Sequence, residues 1–178
     1  MEKEKMDELG YLYESELIKE TSGENVGYYE ALILRSGLGR TERKPRPRYY
    51  EEEIFAGLEW KIIGIESLLG HLFKDTETLR GVGVVVGGKI TRREYVGTEL
   101  YGVIKIIGKE NNELVRGGVL KYVSMDFEGK SVISKKDVFG EIKNVDSVIR
   151  IGRVWSIDFI NAQNSGLGYA GIVREIGV

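Results

Sequence analysis

The chain has 178 residues, 42% hydrophobic and 30% charged, with a formal net charge of −2. That suits one soluble globular domain and supplies no field favouring nucleic acid as the main partner. It contains no cysteine and one histidine, His71, which excludes disulfides, a thiol nucleophile and thiolate metal sites and leaves zinc only a carboxylate-rich site. Twenty-four glycines against two prolines, spread between short Val/Ile/Tyr-rich runs, mark turns and bulges and predict an α+β, mainly β, protein.

Residues 1–10 are charged and are expected to form a frayed lead-in, with 11–178 as one domain. The opening lacks the apolar core of a signal peptide and no run is long enough to span a bilayer, so a cytosolic, membrane-free protein is expected. Leu12 to Ile18 and Val26 to Leu34 read as strands around a turn at Ser22-Gly23-Glu24-Asn25. Ser36 to Arg48 is a basic loop holding Pro45 and Pro47, and its Arg43, Lys44, Arg46 and Arg48 are offset by Glu51, Glu52 and Glu53. Ile54, Phe55 and Leu58 fall at helical spacing and predict a short helix. Ile62 to Leu69 reads as a strand or a turn. Gly81 to Val86, Lys89 to Val96, Leu100 to Ile107, Leu120 to Phe127 and Val154 to Ile160 read as strands, with a helical turn over Asn111 to Arg116. Ser131 to Asp146 is expected to be a surface excursion, with Val145 to Ile151 leading back in.

The Gly81–Gly88 run is followed by a β-like segment and not by a helix, which argues against a phosphate-cradling loop. The acids lack the spacing of a calcium loop or a two-metal site, and no cofactor is expected. More informative are Ser-Met-Asp-Phe at 124–127 and Ser-Ile-Asp-Phe at 156–159, each putting serine and aspartate on one face of a strand. With a single imidazole, a serine hydrolase built on this chain must use His71 as base. Ser124 is then the candidate nucleophile, with Ser156 or Asp158 available to orient the ring. Pattern alone leaves a second reading open, in which Ser124 is an inert residue on the polar face of an amphipathic strand and His71 is a loop histidine.

In chain order, Arg46-Pro47-Arg48-Tyr49-Tyr50 before an acidic helix, His71, Gly81-Val82-Gly83, Tyr122 to Phe127 and Ile151 to Ala162 resemble motifs of the tailed-phage prohead (capsid-maturation) proteases. These are relatives of the herpesvirus assemblin proteases. The likeness covers about residues 27–172, and the chain departs from it where Leu72 and Gln163 replace family prolines. The resemblance implies a herpesvirus-protease-like β-barrel with a few peripheral helices and a serine endopeptidase using His71 and Ser124. The third member would be Asp158, with Ser156 and Asp126 as alternatives. Arg150 and Arg153 are candidates to support the oxyanion. It further implies scaffold protein and major capsid protein as substrates, cut inside the prohead in the host cytoplasm. Self-processing, a trimmed chain and a homo-oligomer belong to the same expectation. The alternative is a catalytically inactive capsid-assembly or binding module of the same fold. A third reading, a small-molecule-binding barrel, requires a deep apolar cavity.

Overall fold

Runs of β-branched and aromatic residues become strands in the computed structural model, which describes residues 9–13, 25–39, 45–69, 80–160 and 169–176. Strands account for 66% of these residues. In chain order they are β1 (Leu12–Tyr13), β2 (Val26–Arg35), β3 (Gly37–Leu38), β4 (Arg48–Tyr50), β5 (Glu66–Leu69) and β6 (Arg80–Arg93). There follow β7 (Gly97–Ile107), β8 (Tyr122–Val138), β9 (Glu141–Ile160) and β10 (Gly171–Ile176). The helical pieces among the described residues are a 3-10 turn (Glu52–Phe55), α1 (Leu58–Lys61) and α2 (Lys109–Arg116).

The pairing order β6-β7-β2-β10-β8-β9-β5 returns to β6 and closes a 7-strand barrel. β5 closes it, running antiparallel to β6 and parallel to β9. Alternation sends Ala31, Ile33, Val85, Leu100, Ile104, Val123, Ile157 and Phe159 into one apolar core. Closure leaves β1 and β3 as the ends of the sheet path among the described residues. Ile54, Phe55, Leu58 and Ile62 join the same core, so the helical spacing at 54–58 is met by two short turns. Among the described residues the barrel interior holds a continuous apolar core of buried side chains.

Three expected boundaries are corrected. Gly87 and Gly88 do not separate two strands, because β6 runs through them with a register shift between Val85 and Gly87. Gly88 is needed there for close approach: a Cβ on it would meet the Glu59 carbonyl oxygen at 2.2 Å. Ser131 to Asp146 is the mostly exposed excursion expected, but it is built as strand, since β8 and β9 stay paired to a turn at Phe139-Gly140. Both turn residues have positive φ, 55° and 84°, the geometry of a type I′ hairpin, which matches strand twist. For the same reason Val145–Ile151 and Val154–Ile160 belong to one strand, interrupted in register by bulges. The strand expected over Leu12–Ile18 is described only at β1, and residues 14–24 lie outside the described residues.

Candidate functional site

The two Ser-x-Asp-Phe segments are partners. β8 and β9 run antiparallel with Ser124 opposite Asp158, Met125 opposite Ile157 and Asp126 opposite Ser156. Met125 and Ile157 point into the core, so the two Ser/Asp pairs share the outer face. Directly opposed residues place their Cβ atoms about 4.5–5.5 Å apart. Ser124 is partly exposed, Asp126 is exposed, Ser156 is buried and Asp158 is buried, with 4% of its surface accessible.

On the other side of β9, Leu68 of β5 stands opposite Asp158, extending the row Ser124, Asp158, Leu68 across three strands. The buried Ser67 hydroxyl pins this junction by donating to the Ile157 carbonyl at 2.8 Å. β5 ends at Leu69, opposite Phe159. His71 lies outside the described residues.

The third-member candidates separate by burial. Asp158 is a buried carboxylate beside a partly exposed serine, the environment in which a carboxylate orients an imidazole and resists solvation. Asp126 is exposed and its partner Ser156 is a buried hydroxyl with no charge to offer.

Arg150 and Arg153 are not brought to this row. They stand eight and five positions before Asp158 on β9, roughly 26 and 16 Å at strand rise. An arginine side chain is too short to cover that distance, so support of an oxyanion beside Ser124 is assigned away from both. The Arg153 guanidinium lies 4.1 Å from the centre of the Trp155 ring, and Arg150 is exposed opposite Lys130.

A second polar cluster was not singled out from sequence. Glu99 of β7 is buried and accepts hydrogen bonds from Arg93 Nε at 2.7 Å, Arg35 Nε at 2.8 Å and the Tyr101 hydroxyl at 3.1 Å. Burial alone would raise this carboxyl, but the hydrogen bonds from Arg93, Arg35 and Tyr101 outweigh it and hold the group below the ordinary carboxylate range. Its members sit on β2, β6 and β7, whereas Ser124 sits on β8. The signal available in sequence was weak, since Arg35, Arg93 and Glu99 come together only through strand register.

Comparison with protein-family models, with curated proteins and with solved structures finds no match.

Proposed function

We propose that the chain is a serine endopeptidase of the capsid-maturation type, with Ser124 as nucleophile, His71 as general base and Asp158 as the orienting acid. The observation that carries this reading is the Ser124–Asp158–Leu68 row. It sets a partly exposed hydroxyl on β8 opposite a buried carboxylate on β9, and β9 adjoins β5, after which His71 follows two residues beyond Leu69 in sequence. The finer likeness of the barrel to the herpesvirus proteases is part of the same proposal.

In this mechanism neutral His71 takes the Ser124 proton as Oγ attacks the scissile carbonyl. The imidazolium, held by Asp158, then gives that proton to the leaving amine, and the acyl-enzyme is hydrolysed by water that His71 deprotonates. Oxyanion donors are assigned to backbone amides beside Ser124. Scaffold and capsid-protein segments inside the prohead are the proposed substrates, with self-processing of the chain.

A second reading is favoured by a different observation. The β8–β9 hairpin carries Ile133, Ile142 and Phe139 exposed, Phe139 at 90%, which suits a non-catalytic assembly module that binds through this arm.

The two are separated by incubating the purified full chain with an unfolded protein substrate and mapping cleavage in substrate and chain by mass spectrometry. The protease reading expects cleavage that is lost in both Ser124→Ala and His71→Ala. Cleavage that persists in Ser124→Ala contradicts it.

A further inference from the structure

The β8–β9 ribbon contains two pairs of like charges standing directly opposite each other, Lys136/Lys143 and Lys130/Arg150. Such pairs destabilise a sheet unless something neutralises them. The first is neutralised, with Lys136 Nζ 2.8 Å from Glu51 and Lys143 Nζ 2.8 Å from Glu141. Lys130 and Arg150 are both exposed and make no ion pair among the described residues.

Nearer Ser124 on the same ribbon, Arg153 stacks on Trp155, a residue that is half exposed. Stacking leaves the in-plane guanidinium N–H groups free to grip a carboxylate. Along this stretch of the ribbon, residues 126–130 and 150–156, the exposed acids are Asp126 and Glu128, so three cations face two anions and the positive excess is concentrated at the directly opposed Lys130 and Arg150, on a chain whose net charge is −2.

We propose that Lys130, Arg150, Arg153 and Trp155 form a docking strip for an acidic segment of an extended polypeptide. The anion site stands on its own observations. Its role as a substrate subsite rests on the reading of Ser124 as nucleophile. In that role, acidic residues bound at Arg153 and at Lys130/Arg150 lie roughly five to eight residues from the cleaved bond, at about 3.3 Å per extended residue. An acidic peptide is favoured over nucleic acid because the strip is short, and its three cations would neutralise only a few phosphates of a continuous backbone.

The test titrates the full chain with a fluorescein-labelled hexaglutamate peptide, read by anisotropy and by quenching of tryptophan fluorescence. Binding is expected to weaken with salt and by at least about tenfold in a Lys130→Glu/Arg150→Glu double variant. Quenching is expected to disappear in Trp155→Phe, with circular dichroism showing each variant folded. Absence of binding, or binding that the charge reversal leaves unchanged, overturns the proposal. An oligouridylate of equal charge that displaces the peptide at lower concentration overturns it in favour of nucleic acid. Ser124→Ala is expected to bind hexaglutamate like the unaltered chain, so a failed protease reading and a failed docking strip give different results.

Discussion

Ser124 and Asp158 stand directly opposite each other on antiparallel strands, and two positions along, Asp126 and Ser156 repeat the pairing with the residues exchanged. The repeat is symmetrical in sequence but not in environment. Asp158 is buried beside Ser124, which is partly exposed, whereas Asp126 is exposed beside the buried Ser156. Only the first pair joins an accessible hydroxyl to a carboxylate shielded from water.

That asymmetry predicts different effects from the two conservative substitutions. Asp158→Asn keeps the shape but removes the charge that would hold an imidazolium, and should slow acylation of Ser124 by on the order of 10³–10⁴-fold. Asp126→Asn should leave the rate within a few-fold. Rates of modification by a serine-directed phosphonate measure both, and equal rates in the two variants would remove Asp158 from the mechanism.

Much of the barrel was legible because alternation is a local property. Val123, Met125, Ile157 and Phe159 enter the core while Ser124, Asp126, Ser156 and Asp158 face outward, as the period of two requires. The opposition of Ser124 to Asp158 was not legible, since it depends on register accumulated along a hairpin whose turn lies at Phe139-Gly140, with bulges on the way. That turn was hidden because phenylalanine is a poor residue for positive φ. Gly87-Gly88 misled in the opposite sense: glycine pairs usually mark turns, but here the missing side chain of Gly88 admits the backbone of α1. The Glu99 cluster was illegible for the same reason as the Ser/Asp pairing, being assembled across β2, β6 and β7.

The Phe139 turn makes a prediction of its own. An L-residue with a side chain in the left-handed region costs about 1–2 kcal/mol, and Asn-Gly is the favoured type I′ sequence. Phe139→Asn should therefore stabilise the chain by about 1 kcal/mol in urea denaturation. Destabilisation would show that the Phe139 ring makes compensating contacts.

Close approach at Gly88 can be tested by adding one methyl group. Gly88→Ala forces a Cβ against the Glu59 carbonyl and should cost roughly 1–3 kcal/mol, seen as a lower melting temperature. An unchanged melting temperature would mean that α1 shifts freely on the barrel.

Glu99 contributes to the acid limb of stability. A carboxyl held below its unfolded value stabilises the fold above that value, near pH 4.3, and the contribution fades as pH falls through the lower folded value. Glu99→Gln should lose roughly 1.5–3 kcal/mol at pH 7 and show a flatter loss of stability below about pH 4. Denaturant titrations across pH measure this, and parallel acid profiles for the two proteins would contradict it.

The measurement that bears most directly on the central claim is labelling of the full chain with a fluorophosphonate probe, followed by peptide mapping. Stoichiometric modification is expected at Ser124 and is expected to be absent in His71→Ala and in Ser124→Ala, with both variants folded. No modification of the monomer, of any oligomer it forms or of protein incubated with an unfolded substrate would contradict that claim and leave the barrel as a binding module.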